Sequence, residues 1–495
     1  MERGKGFDEE NFDYPSLPKY VYYGVGQLVY RLGYTKVEFI EAARLVSIIL
    51  GGLVVALTYQ LTRLMGGGVF ASTLAALLVI SSRDMALYSR FAHNDLFLVF
   101  FIYLCVLFLI NYRIKNHRIW LYCAFLAVGL AASSKYNGGS MLLAVLAVFL
   151  ISNRRLLSTN PFAFGETLFI GIILSVVGYA VGTPKSLTWM AFYFKRATPY
   201  ILRHAVYGRD AETLIGLFGQ WGVLWSMLGI GVSLLFLGAI LWHGRRIYQL
   251  LSKKSPGENR QPELISILLL SMLALDLPIA ISYNYPPRFF LVFIPCIAIL
   301  VGLFVEAMFL YFKPGGYTTI KILAVVALIA VFAYSFLRVI SVGFLFLNDS
   351  RIAASEFVKT LREGSTLEYT LYPPSIPEDF FSEQIRHPLY AKKYPNQPPP
   401  ERDPSQYNRG EAGVEEREPD YFIVDSFTYE RLDQEEECLN MQAECEFFRR
   451  LLAGETNYQL LRRFDYTIPA YLPEKSAPFL NPVIQIYQRK GTSTP

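Results

Sequence analysis

An aspartate at the mouth of an apolar run is the residue of this chain best placed to do chemistry. Asp95 stands near the end of the stretch SSRDMALYSRFAHNDLF (81–97), where Arg83, Asp84, Arg90, His93 and Asn94 crowd against the apolar segment 95–112. Ionisable groups at bilayer depth are costly and usually face a polar cavity, so Asp95 could point inward to such a cavity from the first turn of its span. The same residues suit a plainer task. Asn94 or Asp95 could cap the helix, and the carboxylate favours the positive end of the helix dipole. The two roles can coexist.

Cations at similar depth point to an anion. Lys135 lies in the short connection SSKYNGG (133–139), followed by Tyr136 and Asn137. Its ammonium either snorkels to the membrane surface or meets an anion such as phosphate, which Gly138 and Gly139 would let the backbone approach closely. In the longer connection 184–213, Lys195, Arg196, Arg203 and His204 alternate with Trp189, Phe192, Tyr193 and Tyr200. That alternation fits an interfacial helix, a cationic rim for a lipid-linked anion, or both. Arg288, in SYNYPPRFF (282–290), is a boundary anchor or another phosphate ligand.

No resident cofactor is indicated. A divalent metal is compatible with the chemistry, but the five histidines (93, 117, 204, 243 and 387) make no spaced ligand pair. Walker, dinucleotide-fold and Gly-x-Ser-x-Gly signatures do not occur either. Cys105, Cys123 and Cys296 read as small apolar residues within spans. Cys438 and Cys445 could form a disulfide, although on one continuous helix their spacing puts them about 10.5 Å apart, too far without a bend.

The elements that must hold these residues are membrane helices. The chain has 495 residues, 53% hydrophobic and only 18% charged, with mean hydropathy +0.31. That excludes a disordered chain and a disulfide scaffold, and a net charge of +5 argues against a nucleic-acid partner. Residues 1–346 carry 29 Lys and Arg against 16 Asp and Glu, whereas 347–495 carry 17 against 25. Two parts in different surroundings follow: an α-helical polytopic membrane region and a soluble C-terminal domain. Ten spans are expected, at 39–63, 68–82, 95–112, 119–134, 137–152, 162–183, 214–242, 263–283, 289–311 and 319–346. Those at 68–82, 119–134 and 137–152 are short for a bilayer.

Lys and Arg in the loops orient the bundle. The connections after odd-numbered spans hold 13 basic residues and those after even-numbered spans 9, the latter interleaved with acids. The odd connections are therefore placed in the cytoplasm, and the C-terminal domain and N-terminus outside. Residues 1–38 have no signal-peptide core, and 17–32 read as an interfacial helix. Either the orientation is inverted or a first transmembrane helix is missing, and the second is the expectation. The C-terminal domain, 347–495, mixes strand-like runs (YFIVDS, VIQIYQ) with a helix near 439–453, a small α/β unit interrupted by the Pro- and charge-rich segment 395–420.

A set of motifs in shared order carries a resemblance. YPSLPKYVYYGVGQLVYRLG (14–33), ARL (43–45), YSRFAHND (88–95), GLAASSKYNG (129–138), YPPRFFLVFIP (285–295), NDSRIAASEFV (348–358), PDYFIVDS (419–426) and NPVIQIYQRK (481–490) together resemble polyprenyl-phosphate-dependent glycosyltransferases of the GT-C fold. The similarity is greatest to glycosyltransferase family 39 and its bacterial and archaeal relatives, including protein O-mannosyltransferases and aminoarabinose transferases. In YPPRFFLVFIP, Phe289 stands where Tyr is common.

The resemblance implies transfer of a sugar from a polyprenyl-phosphate donor to a protein, lipid or glycan acceptor on the outer face, with inversion. It implies an extracytoplasmic C-terminal domain, membrane lipids as surroundings, and no nucleic acid. Asp95 matches the family's second loop aspartate and Lys135 a lysine near its site. Arg288, and more weakly Arg196 and Arg203, would bind donor phosphate, with Arg90, His93, Asn94 and Tyr136 lining the substrate loop. The family's first acidic pair precedes the YPSLP-like run. Asp8, Glu9, Glu10 and Asp13 lie too close to that run to match it. A shortened, inactive chain or an N-terminal acid acting as substitute are the readings this leaves. The alternative to an enzyme is a protein that binds or translocates lipid-linked sugar.

Overall fold

The computed structural model describes residues 9, 12–205, 213–252, 260–280, 286–311, 318–377, 379–388, 409–433 and 435–492, and the chain divides into two compact units, Met1–Val339 and Ile340–Pro495. The first unit is all helical. It runs α1 (Leu17–Arg31), α2 (Lys36–Leu64), α3 (Val69–Ile80), α4 (Arg83–Tyr88), α5 (Asp95–Lys115), α6 (Arg118–Ser134), a 3₁₀ turn (Tyr136–Ser140) and α7 (Met141–Ser152). Then follow α8 (Arg154–Thr159), α9 (Pro161–Gly182), α10 (Lys185–Thr188), α11 (Met190–Ala205), α12 (Thr213–Leu228), α13 (Ile230–Ser252) and α14 (Gln261–Ala280). A second 3₁₀ turn (Pro287–Phe293) leads into α15 (Ile294–Tyr311), and α16 (Thr318–Leu347) carries the chain into the second unit.

Among the described residues, seven stretches of helix are long and apolar enough to cross a membrane: Lys36–Leu64, Asp95–Lys115, Pro161–Gly182, Ile230–Gln249, Gln261–Ala280, Pro287–Tyr311 and Lys321–Val358. Three shorter apolar helices, Val69–Ile80, Arg118–Ser134 and Tyr136–Ser152, correspond to the three expected short spans. The protein is a multi-pass membrane protein. One span differs from expectation: 214–242 is broken at Gly229, whose φ of +74° only glycine adopts without cost, and the crossing helix is Ile230–Gln249. Arg338, buried on α16, donates from Nη1 to the Met227 carbonyl (2.8 Å) and from Nη2 to the Ser226 carbonyl (2.7 Å). It thereby satisfies carbonyls that the break releases from the α12 ladder.

Local chemistry sets the other ends. Thr35 and Glu38 form a capping box at α2, where the Thr35 N–H donates to Glu38 Oε2 at 2.9 Å. Asn160 accepts from the Ala163 N–H at 3.0 Å just ahead of Pro161, which opens α9. Asn116 ends α5 in the left-handed region. Small residues bring α6 and α9 together: a Cβ on Gly129 would fall 2.1 Å from the Ser175 carbonyl oxygen, and Ser175 Oγ donates to the Phe125 carbonyl at 2.8 Å.

The second unit holds α17 (Ser350–Val358), β1 (Thr366–Tyr369), β2 (Glu383–Arg386), α18 (Gly410–Arg417), β3 (Tyr421–Asp425), α19 (Ser426–Tyr429), α20 (Glu435–Asn440), α21 (Gln442–Ala453), β4 (Tyr458–Phe464) and β5 (Ile484–Arg489). The strand order is β2-β1-β3-β5-β4, parallel across β2, β1 and β3 and antiparallel across β3, β5 and β4. Alternating side chains feed two cores. Phe422, Val424 and Tyr487 pack with Phe447, Phe448 and Leu451 of α21, while Tyr421, Ile423, Ile484 and Ile486 pack with Ala354 and Val358 of α17. This is the small α/β unit expected. The helix near 439–453 is interrupted at Met441, and that bend brings the Cα atoms of Cys438 and Cys445 to 5.3 Å in a disulfide. Of the segment 395–420, residues 395–408 lie outside the described residues.

Candidate active site

The site is built where α5 begins. Asp95 opens the helix with only 1% of its surface exposed, and its two oxygens take different partners. Lys135 Nζ donates to Oδ1 at 2.7 Å, and His93 Nδ1 lies 2.7 Å from Oδ2. Lys135 sits at the C-cap of α6 with extended backbone, which turns its side chain off the helix, and its ammonium lies 4.3 Å from the centre of the Phe289 ring. Two buried charges satisfy each other here, with the aromatic face as a further neighbour of the cation.

Several expectations change at this point. Lys135 does not snorkel; it is 5% exposed and ion-paired. Asn94 occupies the N-cap position without capping, because its amide donates to the Ser134 carbonyl at 3.3 Å, and Asp95 is engaged by Lys135 and His93 instead. The close approach permitted by Gly138 is to protein: a Cβ there would meet the Ala131 carbonyl at 2.5 Å and Leu98 at 2.8 Å.

His93 is fixed from three sides. Its N–H donates to the Phe91 carbonyl (2.9 Å), and its own carbonyl accepts from Tyr22 Oη (3.0 Å), which also meets Ser47 Oγ at 2.9 Å. Its ring packs edge-on against Tyr14, centroids 5.7 Å apart. Arg288, in the second 3₁₀ turn, reaches Tyr14 Oη with Nη2 at 3.5 Å, next to the Phe289 that covers Lys135. Asp95, Lys135, His93 and Arg288 thus converge from three connections, joined through Tyr14 and Phe289. Arg90 is half-buried just after α4. Tyr136 serves the N-terminal segment: its hydroxyl donates to the Phe12 carbonyl at 2.7 Å and accepts from Tyr193 at 3.3 Å.

The structure does not bring Arg196 to this cluster. It is exposed on α11 with its guanidinium 5.6 Å from the Phe192 ring on the same helix. Arg203 lies on α11 too, with its side chain outside the described residues, as are Asp8 and Glu10. Glu9, 3% exposed, accepts from Ser16 Oγ (2.6 Å) and Lys19 Nζ (2.7 Å), while Lys185 donates to its backbone carbonyl (2.6 Å). These contacts strap the segment before α1 and so deliver Tyr14. Tyr14, Tyr22 and Phe289 were not legible as site residues, because aromatics are 15% of this chain and carry no signal singly. Among the described residues no group of three or more His, Cys, Asp and Glu could hold a metal ion.

Comparison with known proteins adds the following. Residues 32–186 match the dolichyl-phosphate-mannose-protein mannosyltransferase family. Among curated protein sequences nothing matches. Of solved structures, ArnT from Cupriavidus metallidurans bound to undecaprenyl phosphate is 12% identical with a TM-score of 0.48, over 96% of this chain and 88% of that one. The Archaeoglobus fulgidus oligosaccharyltransferase in the apo form is 11% identical with a TM-score of 0.49, over 84% of this chain and 62% of that one. The S. cerevisiae Pmt1-Pmt2 complex bound to the sugar donor is 22% identical with a TM-score of 0.31, over 42% of this chain and 30% of that one. The matched stretch, under a third of the chain, contains Asp95, Lys135, His93 and the helices that hold them, and over that stretch the chain is similar to the dolichyl-phosphate-mannose-protein mannosyltransferases.

Proposed function

We propose that this chain moves a sugar from a polyprenyl-phosphate carrier to an acceptor at the extracytoplasmic face of the membrane, inverting the anomeric carbon. The observation that carries the reading is the buried Asp95–Lys135 ion pair at 2.7 Å, with Phe289 against the ammonium and Arg288 linked to the same cluster through Tyr14 and His93. Displacing a prenyl phosphate builds negative charge on the leaving oxygen and positive charge on the sugar. Lys135 and Arg288 are the cations to stabilise the phosphate, already fixed and needing no reorganisation. Tyr14, at the tip of the strapped N-terminal segment, adds a hydroxyl within reach of Arg288. Asp95, ion-paired to Lys135, is the acidic partner of the reaction or of the group that performs it. Arg90, His93, Asn94 and Tyr136 form the surrounding loop. The C-terminal unit, read as residues 347–495, would lie on the extracytoplasmic side of the membrane.

Membranes carrying the chain, loaded with labelled polyprenyl-phosphate sugars, test this. Label should move to an acceptor, and Lys135→Gln and Arg288→Gln should abolish that movement. Label that only crosses the bilayer, or is only retained, would replace the reading with a translocating or binding protein.

A further inference from the structure

Asp95 is poorly placed to touch an acceptor. It is 1% exposed, and both of its oxygens are already engaged. His93 differs in each respect. About a third of its side chain, 32%, is exposed, and among the described residues Nε2 has no hydrogen-bond partner. Its tautomer follows from its neighbours. A carboxylate paired with Lys135 is an acceptor only, so the imidazole nitrogen facing it at 2.7 Å, Nδ1, carries a proton, and in the neutral ring Nε2 presents a lone pair. The ring cannot swing away easily, because Tyr22 and Phe91 hold its backbone and Tyr14 packs against it in a T-shaped contact.

We infer that His93, rather than Asp95, takes the acceptor's proton, with Asp95 as the positioning residue that fixes its tautomer. This rests on the transferase reading above and names a residue role within it. In the step, the acceptor hydroxyl oxygen bonds to the anomeric carbon as the bond from that carbon to the phosphate oxygen breaks. The electron pair stays on the phosphate, and the hydroxyl proton passes to Nε2. The resulting imidazolium is neutralised by Asp95 until the proton leaves to water. Among the described residues, the polar and charged groups that contact His93 are Asp95 of α5, Tyr14 of the N-terminal segment and Tyr22 of α1, with Lys135 bonded to Asp95 and Arg288 to Tyr14. A base held by an ionised orienting group is worth roughly 10²–10⁴-fold in rate.

The experiment uses the full chain in membranes with a panel of tritiated polyprenyl-phosphate pentoses and hexoses and hydroxyl-bearing peptide acceptors. His93→Ala should lower transfer at least about 100-fold with donor retention unchanged, and added imidazole should restore part of the rate. The wild-type rate should fall in acid through one ionisation that His93→Ala removes. Asp95→Asn should lower the rate and leave imidazole without effect. A His93→Ala chain that transfers like wild type, or one that is slow yet keeps the acid limb and gains nothing from imidazole, overturns the assignment while leaving the transferase reading intact. A wild-type chain that retains donor and transfers none of the panel overturns the transferase reading and this role with it.

Discussion

Lys135 and Asp95, forty residues apart in sequence, meet at 2.7 Å with both side chains almost wholly removed from solvent. The pair joins the end of α6 to the start of α5, so it fixes the geometry of the loop as well as its charge. Removing one partner leaves an uncompensated buried charge, which costs about 3–5 kcal/mol. Lys135→Met should therefore lower the melting temperature of the detergent-solubilised protein sharply. The double variant Lys135→Met with Asp95→Asn should recover most of that loss, since no charge is then stranded. Equal losses in the single and double variants would mean the pair is not structural. Neither variant should transfer sugar.

How much of this could be read beforehand depends on whether a residue's cost or its partner was the signal. Asp95 and Lys135 were legible because an ion at bilayer depth is expensive wherever it points. Their pairing was not, because nothing in a sequence says which of several buried ions face each other. Arg196 was overvalued for a similar reason: alternation of cations and aromatics marks an interfacial helix but does not say which face turns inward, and this guanidinium lies on Phe192 of its own helix. The apolar runs that became α5 and α15 were plain from length and hydropathy. The break at Gly229 was not, because a lone glycine in a long apolar run is common and the residue that makes the break affordable, Arg338, is over a hundred positions away. In the second unit the buried strands β3 and β5 stood out as dense apolar runs. The four-residue strands β1 and β2 did not, as their pairing depends on β3 being in place.

The second unit contains an ionic knot whose pH dependence has a definite sign. His387, buried, directs Nδ1 at Glu368 and Nε2 at Glu444 (2.8 Å), and Arg417 also donates to Glu368. A neutral imidazole has one N–H, so satisfying both carboxylates requires the imidazolium. Burial alone would lower the His387 pKa, but the hydrogen bonds and charges of Glu368 and Glu444 outweigh it and raise the value. The folded value therefore exceeds the unfolded one, near 6.5. The stabilisation is fully present below that unfolded value and is lost as pH rises through the folded one. Glu368 works in the opposite sense. Burial pushes its pKa up, but Arg417 and His387 bring it down, so its contribution is lost as pH falls through the folded value. Amide exchange of β1 and β3, corrected for the intrinsic rate, should speed up on the alkaline side in wild type. In His387→Gln that alkaline loss should vanish and exchange should be fast throughout. An unchanged alkaline limb in His387→Gln would remove His387 as its source.

The Cys438–Cys445 bridge gives a count that can be checked directly. In denatured, unreduced protein a maleimide should label three cysteines, Cys105, Cys123 and Cys296, and after reduction all five. Disulfides persist in oxidising compartments, so the bridge also supports the proposed extracytoplasmic side for this unit. Cysteines introduced at exposed positions of the second unit, such as Glu356, should react with a membrane-impermeant reagent on intact cells. Labelling only after the cells are opened would invert the topology.

The junction of α12 and α13 tests whether the helix break is needed or merely tolerated. Gly229 has φ of +74°, and a Cβ there would come within 3.0 Å of Arg338 Nη1, the atom that serves the Met227 carbonyl. Gly229→Ala should cost about 1–2 kcal/mol for the left-handed backbone alone, more if the guanidinium is displaced. Asn, which adopts this region more readily, pays a smaller backbone penalty and keeps the same steric contact. Arg338→Met should be worse than either, because it leaves the buried Met227 carbonyl without this donor, at about 1–3 kcal/mol, and removes the Ser226 contact as well. The expected order of melting temperatures in detergent is wild type, Gly229→Asn, Gly229→Ala and then Arg338→Met. If Gly229→Ala matched wild type, α12 and α13 could run on as one helix, and Arg338 would be holding carbonyls that do not need it.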